Sequence, residues 1–296
     1  MAGGPDPVQH FAPLRRELIG LAYRMTGSLA TAEDLAQEAF LRWNAADRSE
    51  IELPRAWLLK ATARLSLDHL KSARHRRESY VGPWLPEPML ATEDAPQQAA
   101  HERAQDISVA FLLTLQRLSP AERAVFILHD LFETSFAEIA ALLHRSEAAC
   151  RQLASRARAH LGEAQPRQSV TEEEAQRIAR AFMEAAREGR EDALRALLAA
   201  DVVLHTDGGG IRPAARKLIF GADKVSRFFV GLSRKVPPPE ALLYLGRLND
   251  LPGYVTLEAD GLPQATTLEI VEGRIVAVYV MRNPEKLGAL RDRLPG

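Results

Sequence analysis

The chain has a single cysteine among its 296 residues, Cys150, so no disulfide can close within it. That suits a reducing compartment, and the expected location is the cytoplasm. Long apolar runs are missing too. No stretch could cross a bilayer, and the opening MAGGPDPVQH lacks the charged and apolar regions of a signal peptide, so no membrane partner is expected. The formal net charge is −1, which argues against indiscriminate coating of nucleic acid and favours local, positioned contacts. Metal-ligand spacings, phosphate-cradling glycine loops and dinucleotide fingerprints are absent, so neither a metal nor a cofactor is expected.

What is present is ordinary globular composition, 46% hydrophobic and 26% charged, in a chain long enough for two or three domains. Helical periodicity fills residues 8–78, where Phe11, Leu14, Leu18, Ala22 and Met25 share one face. Gly27–Ser28 breaks that pattern, and Thr31–Asp34 reads as a capping box opening the next helix. Pro54 suits the first turn of a long helix running to about Lys71. Residues 79–105 carry Pro83, Pro86 and Pro88 and read as a linker, with unusually apolar Trp84, Leu85 and Met89. A second helical unit spans 106–161. From Thr171 a capping box and two helices precede strand-like sequence. Asp260–Gly261 and Glu272–Gly273 mark hairpins between alternating segments, which predicts an α+β domain of helices on antiparallel strands over 171–291.

Ser135–Leu161 reads as a short apolar helix, a break at His144–Arg145 and a second helix started by Ser146, the pattern of a helix-turn-helix. The solvent face of the second helix carries Arg151, Gln152, Ser155, Arg156 and Arg158. The arginines could hold phosphates while Gln152 and Ser155 reach base edges. A helical hairpin with a solvated basic face is the plainer alternative. Cys150 shares a stripe with Leu153 and Ala157 and reads as a small buried hydrophobe rather than a redox sensor. Further upstream, Leu35, Ala36, Ala39, Phe40 and Trp43 form a core face, whereas Asp34, Gln37 and Glu38 surround Leu41 on the opposite one. An apolar centre with an acidic rim suits a basic protein partner; a stray exposed leucine would look the same. Lys60, Arg64, Lys71, Arg74, Arg76 and Arg77 supply backbone cations of the kind that hold single-stranded nucleic acid, with Trp57 either a stacking surface or core.

AYRMTGSLATAEDLAQEAFLRW, PRAWLLKATARLSLDHLKSARHRR and LSPAERAVFILHDLFETSFAEIAALLHRSEAACRQLASRARAHL together resemble the sigma-70 family of transcription initiation factors. The likeness is to the small extracytoplasmic-function group, which keeps regions 2 and 4. It implies region 2 over 8–78 and region 4 over 106–161. Core RNA polymerase would be met through its β′ clamp helices, by Asp34, Gln37, Glu38 and Leu41, and through its β flap. Promoter DNA would be melted at the −10 element by Pro54–Arg77 and read at the −35 element by Ser146–Arg158. The remaining third resembles the cone-shaped SnoaL-like, NTF2-type fold. WLPEP at Trp84–Pro88, DGGG at Asp207–Gly210 and NPEKL at Asn283–Leu287 resemble the subgroup ECF41, whose fused SnoaL-like extension modulates the sigma core without a separate membrane anti-sigma factor. By that resemblance Trp84, Pro86, Asp207, Gly208, Gly209, Gly210, Arg212, Asn283, Pro284 and Lys286 are regulatory or interdomain residues. Two positions depart from the subgroup. Ile211 stands where a lysine usually follows the glycines, with Arg212 next, and Glu285 replaces an aspartate.

A second class of function stays open at this point. His205 and Asp207 alternate onto one strand face and could perform acid–base work on a small ketone-like substrate. The chain would then be a cyclase- or isomerase-like enzyme fused to a DNA-binding regulator. The same cone could instead hold an unidentified small ligand.

Overall fold

The computed structural model describes residues 7–47, 51–78, 80–90, 108–161, 170–291 and 293–294. These form two compact units. The first is drawn from Met1–Ser79 and Leu112–Gln165, the second from Tyr80–Phe111 and Pro166–Gly296.

The first unit begins with α1 (Pro7–Phe11), α2 (Arg15–Thr26), α3 (Leu29–Ala45) and α4 (Pro54–Glu78). Leu18, Leu21, Ala22 and Met25 of α2 are buried, and Gly27 stops the helix in the left-handed conformation at φ 72°. The next helix starts earlier than its sequence suggests. Ser28, not Thr31, is its cap, and Ser28 Oγ accepts the Thr31 N–H at 3.1 Å. Ala32, Ala36, Ala39 and Trp43 are buried along α3, and Trp57 of α4 packs on Trp43 with ring centroids 5.4 Å apart.

Next among the described residues come α5 (Val109–Arg117), which belongs to this unit from Leu112 onward, and α6 (Pro120–Phe126), α7 (Phe136–Leu143) and α8 (Glu147–Leu161). Reciprocal capping boxes open α6 at Ser119/Glu122 and α7 at Ser135/Glu138. His144 ends α7 at φ 53°, and Ser146 Oγ accepts the Ala149 N–H at 3.2 Å to start α8. Cys150, Leu153, Ala154, Ala157 and Leu161 form the buried stripe of α8, and burial pushes the Cys150 thiol pKa up. Between α6 and α7 the chain makes a π-helical turn over Ile127–Leu131. The two halves of the unit are joined by Arg123, which is 3% exposed; its Nη1 donates to Met25 O at 2.6 Å and its Nε to Leu115 O at 2.8 Å.

In the second unit α9 (Glu172–Glu188), α10 (Glu191–Leu197) and α11 (Ala222–Ser233) pack on a six-stranded sheet. Its strands are β1 (Leu198–Asp207), β2 (Ile219–Phe220), β3 (Ala241–Leu248), β4 (Leu251–Leu257), β5 (Pro263–Val271) and β6 (Arg274–Met281). The order is β2-β1-β6-β5-β4-β3. The ladders β3–β4, β4–β5 and β5–β6 are antiparallel, as the hairpin signals imply, whereas β1 runs parallel to β6. These strands come from opposite ends of the domain, so no hairpin dictates their direction. The core gathers Ile178, Phe182, Val202, Leu204, Phe229 and Val278 between helices and sheet. Helix α12 (Pro284–Arg291) follows β6.

Of the segment expected as a linker, residues 80–90 are described, and they are pinned to this unit as a strap. Leu90 bridges Leu248, and the Asn249 N–H donates to Met89 O at 2.8 Å. Leu85 and Glu87 are buried.

Candidate functional sites

Three constellations carry the residues singled out by sequence. On α3, Asp34, Gln37 and Leu41 are exposed and Glu38 is half-buried, spaced so that they form one stripe along the helix. Leu41 is 53% exposed, so the apolar centre faces solvent. Glu38 accepts from Arg42 Nε at 2.9 Å within the same helix.

The second constellation spans α4 and the helix-turn-helix of α7 and α8. Lys60, Arg64 and Lys71 are exposed on α4. Lys71 pairs with Asp68 at 3.2 Å, and Arg64 Nη1 lies 3.5 Å from His144 Nε2. Arg74, Arg76 and Arg77 sit on the last turns of α4, but their side chains lie outside the described part of the structure. A cavity of about 530 Å³ opens beside α4, lined by Leu53, Trp57, Lys60, Phe132, Thr134 and Glu138. On α8, Arg151, Gln152, Ser155, Arg156 and Arg158 are all exposed, as is the capping Ser146. The arginines differ in their partners. Arg151 Nη2 meets Glu147 at 2.6 Å, Arg158 meets Asp130 at 2.7 Å, and Arg156 Nε lies 3.3 Å from Glu122. Burial alone would raise the Glu122 pKa, yet hydrogen bonds from the Ser119 hydroxyl and N–H, with Arg156 and His160 nearby, hold it below the ordinary carboxylate value.

The third constellation ties the strap to the sheet. Asp207 ends β1 and is fully buried. Its Oδ1 accepts from Tyr80 Oη at 2.5 Å and Gly209 N at 3.0 Å, and its Oδ2 from Leu85 N at 2.9 Å and Lys286 Nζ at 2.7 Å. All four acceptor positions of the carboxylate are thereby used. Lys286 also donates to Leu85 O at 2.7 Å, and its ammonium lies 4.8 Å from the Tyr80 ring centroid and 4.2 Å from that of Trp84. Asn283 Nδ2 donates to Tyr80 Oη at 3.0 Å, while Asn283 Oδ1 accepts the Glu285 N–H at the start of α12, just after Pro284. Burial and the Asp207 carboxylate push the Tyr80 phenol pKa up.

The glycines make this closeness possible. A Cβ on Gly208 would stand 2.1 Å from Arg212 O, and one on Gly209, at φ 64°, 2.4 Å from Asn283 Nδ2. Gly210 and the exposed Ile211 complete the turn. Arg212 turns into its own domain, with Nη1 donating to Pro263 O at 2.8 Å and Nη2 2.8 Å from Asp260. Trp84, Asp207, Asn283 and Lys286 thus belong to one cluster, and Pro86 is buried in the strap beside Leu85. Sequence reasoning missed Tyr80 and Asp130; an isolated tyrosine after a basic run and an acid in an apolar helix gave no periodic signal. The same reasoning missed Arg123, whose burial is invisible in LSPAERAVF.

The His205–Asp207 pair does not act as a unit. The His205 ring lies 5.0 Å from Tyr279, whose hydroxyl donates to Glu269 at 2.9 Å, whereas Asp207 is committed to the strap. A carboxylate whose acceptor positions are all filled is a poor general base.

Comparison with known proteins agrees with the helical architecture. Residues 10–76 match the family model "Sigma-70 region 2" and residues 108–161 match "Sigma-70, region 4". The ECF RNA polymerase sigma factor SigJ of Mycobacterium tuberculosis is 40% identical over 291 residues, covering 94% of this chain and 92% of that protein. The probable ECF RNA polymerase sigma factor SigI of the same species is 33% identical, with 95% of each chain covered. The crystal structure of SigJ superposes with a TM-score of 0.75 at 37% identity, covering 95% of this chain and 98% of that one. The likeness runs through both helical regions and on across the α+β domain, and the chain belongs to the extracytoplasmic-function group of the sigma-70 family, factors that act with core RNA polymerase on promoter DNA.

Proposed function

We propose that this sigma factor docks on the β′ clamp helices of the polymerase through Asp34, Gln37, Glu38 and Leu41, and on the β flap through its region 4. In this reading α4 opens and reads the −10 element with Lys60, Arg64, Lys71, Arg74, Arg76 and Arg77. Helix α8 reads the −35 element with Gln152 and Ser155 at base edges, Ser146 at its start and Arg151 and Arg156 toward phosphates, on a basic face that also carries Arg158. Its place of action is the cytoplasm, with the polymerase. The observation that supports this most directly is the solvent-facing Leu41 within its acidic stripe, a surface that a stand-alone DNA reader would have no use for.

In the same reading the C-terminal domain regulates the sigma core from within the chain. Support comes from the strap: the residues that follow α4 are held by Asp207, Asn283 and Lys286 instead of running free. With Asp207 committed there, cyclase-like catalysis is the weaker alternative. A small ligand in the cone is an open part of the proposal, read out as a shift in melting temperature.

Run-off transcription with core polymerase tests the whole. The full chain, or chains trimmed within 162–296, should yield promoter-specific transcripts; none from any of them would sink the reading. Glu38→Lys or Leu41→Glu should weaken polymerase binding, measured by size-exclusion co-elution, while leaving the circular-dichroism melt nearly unchanged, since Leu41 is exposed and half-buried Glu38 pairs, among the described residues, only with Arg42 of its own helix. Arg156→Ala should weaken promoter binding and reduce its salt slope by about one.

A further inference from the structure

We infer that Arg158 is a positioning residue, set by Asp130 of the π-helical turn, and that it fixes the angle of the recognition helix instead of contacting DNA phosphate. Arg158 Nε and Nη2 both lie 2.7 Å from Asp130 Oδ1. Asp130 sits in the π turn Ile127–Leu131, closed by the Phe132 N–H donating to Ile127 O at 3.2 Å. A π turn takes in one residue more than an α turn and re-aims the side chains around it, which is why such turns occur at functional sites.

The same turn holds α8 at a second point. His129 stacks on Phe136 with centroids 3.9 Å apart, its Nδ1 3.0 Å from Thr134 O, and the Arg151 guanidinium lies 5.4 Å over the far partner, Phe136. Residues 151 and 158 are seven apart, so they occupy one stripe two turns apart. Two attachments on one stripe fix the rotation of α8 about its axis, and rotation decides whether Gln152 and Ser155 face outward. Among the described residues those two have no side-chain partner.

Charge separates Arg158 from Arg156. Arg158 is neutralised by a hydrogen-bonded carboxylate and releases little counterion on meeting DNA. Withdrawing it would leave Asp130, 22% exposed, facing phosphates with its charge uncovered. Arg156 has only a 3.3 Å charge contact to Glu122 and is 62% exposed, which leaves it the better phosphate ligand.

This inference rests on α8 being the −35 reader, and Gln152→Ala tests that reading separately, because loss of discrimination at a single base pair follows only if α8 lies in the groove. The probe is a labelled duplex selected from a random-sequence pool by the full chain bound to core polymerase, followed by anisotropy across a salt series. Arg158→Ala and Asp130→Ala should each weaken binding about tenfold, with the double variant no weaker than either single. The salt slope should match that of the unaltered chain, and Asp130→Asn should follow Asp130→Ala in direction. Four results would overturn the inference: a salt slope lowered by about one in Arg158→Ala, tighter binding by Asp130→Ala, additive losses, or no change in either variant. The pair is partly exposed, so circular dichroism should show the native melt in all of them.

Discussion

Asp207 illustrates how one side chain can hold a segment in place. A buried carboxylate is tolerated when its acceptor positions are filled and a cation faces it, and Asp207 has both. Removing the charge by Asp207→Asn leaves Lys286, whose side chain is 11% exposed, without its counterion. Breaking one partner of a buried pair typically costs about 3–5 kcal/mol, so calorimetry should show a lower melting temperature for the C-terminal domain. An unchanged melt would mean that water takes over the role of the carboxylate. Alongside Glu138, Glu122 contributes to the pH dependence of region 4. Its folded pKa lies below the unfolded one, so its stabilising contribution is present above the ordinary carboxylate value and lost as pH falls through the depressed one. Glu122→Gln keeps the shape and removes the titration, and it should flatten the acid side of the stability profile.

Among the elements, the helices of region 2 and region 4 were legible because each buries one stripe, and a stripe needs only local spacing. Leu41 stood out on α3 for the same reason, and so did Cys150, Leu153 and Ala157 on α8. Four features escaped the pattern, and all depend on partners far along the chain or on competing local bonds. Ser28 takes the cap from Thr31 because Gly27 has already stopped α2. The π turn serves contacts with Phe136 of α7 and Arg158 of α8. The parallel β1–β6 ladder joins distant segments. The strap looks like a linker because prolines dominate it, yet proline also suits an extended segment laid against a sheet. The DGGG turn belongs to this scale as well. Gly209→Ala would set a Cβ against Asn283 at a positive φ, which should cost about 1–3 kcal/mol by thermal melt. Gly208→Ala should cost more, since its clash is with the Arg212 backbone and no side chain can move away.

At the scale of the whole molecule the strap determines how truncations are to be read. In sequence only Ser79 separates the end of α4 at Glu78 from Tyr80, the first described residue of the strap. Removing residues 171–296 deletes Asp207, Asn283 and Lys286 together and leaves apolar Leu85 and Met89 without their seat. Trimming the chain before Asn283 is a different lesion. Asp207 then stays buried in a standing sheet with no cation, and α12 is gone. If the C-terminal domain restrains the core, full removal should raise promoter affinity, and the short trim should give a different, less stable protein. Tyr80→Phe separates restraint from lost stability, because it weakens the strap and leaves the sheet intact. The ring over Lys286 remains, and the bonds to Asp207 and Asn283 disappear. Anisotropy and run-off transcription should then move part of the way toward full removal, at a cost of about 1–3 kcal/mol for the buried Asn283 amide donor left unpaired. Identical transcription from the full chain, the short trim, the full removal and Tyr80→Phe would leave the domain without a regulatory role, because a tether that restrains the core must show its release somewhere in that series.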